Sequence, residues 1–283
     1  MILYKYMSFS SAEKIIENST IGFSGMRFLN DPFEGTYLRA SYINQHDEGA
    51  YQSFRSRLLS KFAVLSLTRQ PLNSLMWAHY GDSHTGVVLG IDIEKASLCD
   101  TQTCLIPAQY GDLVYTSKKL DKARSLPSID RLPQLFQQKG FTHDGYEFFK
   151  QAYLYKSLEW AYEEEVRVVK AIEMYPELGP YEVGSDQWER IHLNSKSKNE
   201  NKGGSGIAAV EDTENNSEKR PLDCLKIPSE SIVSAYLGLR TSENNKQKAL
   251  EWSNKNIELY ICTEEQSSWS LVSKSYQGSK PPL

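Results

Sequence analysis

The chain has 283 residues, 40% hydrophobic, 11% aromatic and 24% charged, which suits a substantial core in one large domain or two small ones. A formal net charge of −4 argues against a protein held on nucleic acid by bulk charge, though a local basic groove remains compatible with it. No segment approaches the roughly 18 apolar residues that span a bilayer, so no membrane partner is expected. Residues 1–6 read as a strand without a basic region ahead of a longer apolar one, and the expected compartment is the cytoplasm.

Residues 2–6 alternate apolar and polar, as a strand does. Ser10 and Glu13 have capping-box spacing for a helix whose buried face carries Ile15 and Ile16 and which ends by Asn18 and Gly22. A short extended piece at 21–24 leads to Asn30-Asp31-Pro32-Phe33-Glu34, where Pro32 keeps Asp31 out of helical space and predicts an ordered loop displaying its acids. Residues 47–60 read as a polar helix and 61–68 as a buried strand ending in Ser66 and Thr68. The segment Met76-Trp77-Ala78-His79-Tyr80 precedes a second buried strand at 86–92. His79 has the chemistry of a general acid or base, or of a ligand hydrogen bond; a core aromatic cluster with a satisfied His reads equally from these residues.

Further on, a strand is expected around 112–115 and helices over 126–138 and 143–158. The second helix carries the aromatic stripe Tyr146, Phe148, Phe149, Tyr153 and Tyr155, read as core. Residues 194–220 are polar and glycine-bearing, and read as a flexible insertion interrupting a single domain over 1–265, with a tail at 266–283 expected to fray from Ser273. Their Gly203-Gly204-Ser205-Gly206 lacks the strand, helix and Lys-Ser/Thr ending of a phosphate loop. After the insertion come a strand at 232–238, a helix capped by Thr241 or Ser242 and running to Trp252, and a last strand at 257–262. The four cysteines show no zinc or disulfide framework and read as incidental thiols. About eight strands that do not alternate regularly with four or five helices predict an α+β fold with mixed or antiparallel sheets and flanking helices.

Residues 156–170 (K-S-L-E-W-A-Y-E-E-E-V-R-V-V-K) concentrate the chemistry. In an extended chain residues two apart share a face, so Glu163, Glu165 and Arg167 are expected side by side, with Glu164 outside the group and Val166 and Val168 turned to a core. A solvated edge strand would show the same pattern; burial separates the two readings.

Several of these stretches together resemble one family. They are Leu3-Tyr4-Lys5-Tyr6, Phe28-Leu29-Asn30-Asp31-Pro32-Phe33-Glu34, Val64-Leu65-Ser66-Leu67, Met76 to Asp82 with His84 and Gly86, Trp160-x-x-Glu163-x-Glu165-x-Arg167 and residues 232–238. The family is a widespread bacterial one known only as a domain of unknown function and sometimes found near phage-defence genes. The order of strand, capped helix, N-D loop, hydroxyl-ended strand and late E-x-E strand is also similar to ADP-ribosyltransferases. That resemblance implies NAD as substrate and Glu165 as the catalytic carboxylate with Glu163 assisting. It implies Lys5, Tyr6, Asn30, Ser66, Trp77, His79 and Tyr80 at the NAD or substrate site. Lys5 stands where such enzymes carry His or Arg, and Arg167 has the position to neutralise Glu165. The implied role is a toxin or defence effector modifying a protein or nucleic acid, with a cognate antitoxin or defence partner. The alternatives are a non-catalytic binding module on the same scaffold and a metal-dependent nuclease built from Asp31, Glu34, His79, Glu163 and Glu165, for which no familiar ligand spacing is present.

Overall fold

The computed structural model describes residues 1–35, 48–119, 132–172, 188–192 and 221–277. Its first strand, β1 (Ile2–Met7), leads into helix α1 (Phe9–Asn18). The cap is Ser8, two residues before the expected Ser10: its hydroxyl accepts from the Ser11 amide, and Ser19 ends the helix in the left-handed region at φ 51°. Strand β2 (Thr20–Gly25) follows, then helix α2 (Glu48–Lys61) and strand β3 (Phe62–Thr68). Asn73 caps the short helix α3 (Ser74–His79) by accepting from the Leu75 and Met76 amides, and β4 (Val87–Asp92) is buried almost throughout.

Strand β5 (Val114–Thr116) and helices α4 (Leu132–Gln137) and α5 (His143–Tyr153) come next. Helix α5 stops at Tyr153 rather than Leu158. The chain then forms strand β6 (Tyr155–Ser157), parallel to β5, and a 3₁₀ segment, Leu158–Glu163. Strand β7 (Glu165–Ala171) carries the late acidic motif. Strands β8 (Trp188–His192), β9 (Pro221–Lys226) and β10 (Ile232–Leu237), helix α6 (Glu243–Leu250, capped by Ser242), β11 (Glu258–Glu264) and β12 (Leu271–Ser275) complete the described elements. Strand β12 pairs with β11, so the stretch expected to fray from Ser273 is ordered sheet to Ser275. The expected insertion at 194–220 lies outside the described residues.

Ten strands make one mixed sheet in the order β12-β11-β10-β4-β1-β3-β2-β9-β8, with β7 joined to β3 off that path. The fold is thus α+β, a mixed sheet with flanking helices, and carries more strands than the sequence reading counted because the short ones lack alternation. Alternate residues send the two faces of β3 and β7 into different cores. Ala63, Leu65, Leu67, Val166 and Val168 join the cluster under α1, with Phe9, Ala12 and Ile16. Phe62, Val64 and Val169 join the cluster under α2 and α5, with Phe54, Leu58, Phe148, Phe149 and Tyr153. On that second face the apolar row stops and polar residues take over: Ser66 and Thr68 on β3, Glu165 and Arg167 on β7. The pairings Ser66↔Arg167 and Thr68↔Glu165 bring them together.

Strand β3 meets β2 at Ser24↔Val64 and Gly25↔Ala63 but meets β1 only at Tyr4↔Thr68. Between these contacts β1 and β3 separate, and the Lys5 ammonium reaches across to the Ser66 carbonyl at 3.2 Å. This fork in the sheet opens the cavity described below. On its other flank β7 is held by the loop at Gly111, whose carbonyl accepts from the Arg167 amide at 2.8 Å. A Cβ on Gly111 would lie 2.1 Å from the Arg167 carbonyl oxygen, a backbone atom that has nowhere to go. Gly111→Ala is therefore expected to cost about 1–3 kcal/mol, the usual penalty for overpacking, read as a lower urea midpoint at unchanged slope.

Candidate active site

A cavity of about 230 Å³ lies in the fork, walled by β1, β3, the 28–34 loop, α3 and the start of β7. Lys5, Tyr6, Asn30, Ser66, Tyr80, Glu163 and Glu165 all line it; Trp77 and His79 do not. Trp77 is fully buried, its indole N–H donates to the Pro71 carbonyl at 2.9 Å, and its ring stacks on His84. It is a packing residue, as is the Tyr6 ring against it at 5.3 Å, with the Tyr6 hydroxyl spent on Gln70 and Asn73. His79, at the end of α3, is exposed beside the Tyr80 and Tyr162 rings, and so sits outside the cavity that its neighbour Tyr80 lines.

The centre of the site is Arg167, fully buried, with each of its five N–H donors engaged. Nε gives to Glu165 Oε1 at 2.8 Å and Nη2 to Glu165 Oε2 at 3.1 Å. Nη1 gives to Glu34 Oε2 at 2.9 Å and to the Tyr153 carbonyl at 2.7 Å, and Nη2 also binds Glu34 Oε1. Lys156 forms a second cationic centre, 2.5 Å from Glu163 Oε2, 3.0 Å from Glu165 Oε2 and 3.9 Å from Glu34 Oε1. Its ammonium also lies 5.1 Å over the Trp160 ring. Three buried carboxylates thus share two cations, with Lys5 nearby. The acids of the 28–34 loop, expected on display, are buried: Glu34 faces Arg167, and Asp31 accepts from the Phe33 amide at 2.9 Å.

Glu163 reaches the group by a different route from the one that alternation predicts. It ends the 3₁₀ segment, and Glu164 then adopts the left-handed conformation at φ 42°, which drops the chain into β7 one residue later. The turn is fixed from several sides. The Thr68 hydroxyl donates to the Glu163 carbonyl at 2.6 Å, the Asn73 amide side chain to the Tyr162 carbonyl at 2.7 Å, and the Glu165 amide to the Tyr115 hydroxyl at 2.9 Å. Glu164 itself points outward and accepts from Gln70. Glu163 and Glu165 then face the cavity with Lys156 between them, and the Tyr80 hydroxyl donates to Glu163 Oε1 at 2.6 Å.

The two carboxylates differ in environment. Burial works to raise the Glu165 carboxyl, but Arg167 and Lys156, helped by the Ser66 hydroxyl, hold it down at about 2. For Glu163 burial outweighs Lys156 and Tyr80, and with Glu165 close by its carboxyl titrates above the ordinary value. Burial brings the Lys5 ammonium down to about 8, an effect that Glu165 only partly offsets. Burial and the bond to Glu163 push the Tyr80 hydroxyl far up, so it stays a donor. Of roughly four acceptor positions on a carboxylate, Glu165 spends three on Arg167 and Lys156, while Glu163 spends two. One carboxylate held ionised beside one whose proton affinity is raised is an arrangement suited to stabilising positive charge and moving a proton at the same centre. Among the described residues no group of three His, Cys, Asp or Glu side chains is arranged to hold a metal ion.

Two members of the constellation were not singled out by sequence: Lys156, and Glu34 as the forked partner of Arg167. Neither stands at a strand or helix spacing that would bring it beside the E-x-E pair, and both arrive through tertiary packing. Residues 76–168 match the model of a family described as protein of unknown function DUF2971. That span includes Tyr80, Lys156, both carboxylates and Arg167 but not Lys5, Asn30, Glu34 or Ser66. No curated protein and no solved structure matches the chain.

Removing one partner from a buried ion pair leaves the others uncompensated, so Arg167→Met is expected to cost about 3–5 kcal/mol of unfolding free energy. Glu165 also gives a pH signature. It is ionised in the fold down to about pH 2 but protonates near pH 4.5 when unfolded, so its contribution is complete above pH 4.5 and lost between there and pH 2. Glu165→Gln should therefore be less stable at neutral pH and lose less of its remaining stability over that window, read from urea midpoints at successive pH values.

Proposed function

We propose that the chain is an ADP-ribosyltransferase-like enzyme that uses NAD to modify a macromolecule, protein or nucleic acid, in the manner of a toxin or defence effector. The observation that carries this reading is the Glu163–Glu165 pair, held on one cavity with opposed protonation tendencies. In such a reaction the bond between ribose C1′ and the nicotinamide nitrogen breaks, its electron pair leaves with neutral nicotinamide, and C1′ becomes oxocarbenium-like. The permanently ionised Glu165 then grips the ribose more strongly as positive charge develops. Glu163, the stronger base of the two once ionised, takes the proton that the acceptor loses as it bonds to C1′. Tyr80 and Asn30 at the rim, with Tyr4 and Trp160, supply polar and aromatic contacts suited to a ring-bearing ligand.

A second reading, a non-catalytic binding module on the same scaffold, draws on Arg167: it occupies both Glu165 oxygens and would serve a purely structural cluster as well. The two separate on one assay. Incubation with labelled NAD and cell extract should give nicotinamide release and label transfer by the wild type. Glu165→Gln should lower both by about a hundredfold or more, the scale of losing one electrostatic group from a transition state. No release by a folded wild type would leave the binding module as the better account.

A further inference from the structure

A second cavity, of about 210 Å³, adjoins the first, and the two share Asp31 and Lys156 as a common wall. Its lining has a different character from that of the carboxylate cavity. Thr116 and Ser157 are register partners at the ends of the parallel strands β5 and β6, which sets their hydroxyls side by side, and Ser117, Lys118 and Lys119 follow directly. Lys118 and Lys119 are exposed, and Lys119 is drawn 5.1 Å over the ring of Phe33, itself 64% exposed at the rim. Two exposed lysines thus stand beside one carboxylate in the lining, and that carboxylate, Asp31, is turned to its own loop through the Phe33 amide. Adjacent hydroxyls with cations at their edge match the oxygens of a phosphate, which accept several hydrogen bonds and carry charge.

We propose that this second cavity is a phosphate subsite, taking a phosphate or pyrophosphate group of a ligand whose other end lies at Glu163 and Glu165. The identity of that ligand rests on the reading above; the subsite itself rests on its own lining. Lys156 joins the halves, because the residue whose ammonium bridges the carboxylates also lines the second cavity. A ligand that bears a phosphate on one side and an incipient cation on the other finds hydroxyls and lysines at one end and the Glu163 and Glu165 carboxylates at the other.

The test is titration calorimetry of the full chain with ADP and, separately, with a short 5′-phosphorylated oligonucleotide. Each is run against wild type and the double variant Lys118→Ala/Lys119→Ala. The two lysines are exposed, so the double variant should fold. Binding is expected to weaken about tenfold or more in the double variant and with added salt. Lysine-dependent binding of ADP assigns the phosphate to the dinucleotide; lysine-dependent binding of the oligonucleotide alone assigns it to the acceptor. Binding of neither probe, or binding that persists unchanged in the double variant, overturns the subsite. Lysine-dependent binding alongside a failed nicotinamide-release assay would overturn the transferase reading and leave the subsite standing.

Discussion

The fold around the site depends on a single buried guanidinium. Arg167 gathers Glu34 from the early loop, Glu165 from its own strand and the end of α5 through the Tyr153 carbonyl. These pieces are far apart in sequence, and no apolar contact among them would specify their relative angles as a planar fork of five donors does. Because every donor is used, the arginine has one satisfied arrangement, and any shift of the loop or of α5 leaves a buried charge short of a partner. Such precision carries a cost. Taking three carboxylates and two cations out of water is expensive, and apolar residues of like volume would often serve stability as well or better. A cluster of this kind beside a cavity is therefore better explained by what the carboxylates do there than by what they add to the fold.

The division of roles follows from which cation touches which acid. Glu165 sits between Arg167 and Lys156 and stays ionised. Among the described cations Glu163 touches Lys156 alone, with the neutral Tyr80 hydroxyl on its other oxygen, and burial keeps its proton affinity high. Two residues apart in sequence, the acids are separated in character by one left-handed residue. Glu164 at φ 42° pays local strain to turn the backbone, a conformation that non-glycine residues adopt at a penalty of about 1–2 kcal/mol. The strain is held by hydrogen bonds from Thr68 and Asn73 to the backbone of the preceding turn and from the Glu165 amide to Tyr115.

Much of this was legible in the sequence, and the parts that were not share a cause. Periodicity placed β1, β3, β4 and β7, and the E-x-E-x-R spacing marked the right strand, because alternation is a local property. It assigned Glu163 to that strand as well, since a 3₁₀ segment closing on a positive-φ glutamate leaves no composition signal. The burial of Glu34 and Asp31 was opposite to the reading of a displayed loop: Pro32 and the turn residues fix local conformation, but whether a turn faces water depends on what packs over it. The late boundary given to α5 had a similar origin, since Tyr155 extends the aromatic stripe although its backbone already pairs with Val114 in a second sheet. Strands β9 and β12 border segments of low hydrophobicity, where flank composition masked short pairing runs.

Lys156 is the clearest case of a residue whose meaning lies wholly in three dimensions. In sequence it is one of 32 basic residues, opening a run that first draws the eye to its acids. In space it is, among the described residues, the only cation that touches Glu163 and one of two on Glu165, and it lines both cavities. A lysine suits this place better than an arginine would. Its compact ammonium can be shared among three carboxylates without imposing the planar pairing that Arg167 already uses, and its aliphatic stem lets the charge rest over Trp160. Without that ammonium the two cavity-facing carboxylates would repel each other across a gap too dry to screen them, and the raised affinity of Glu163 for a proton would become a requirement of folding rather than a property open to use in chemistry.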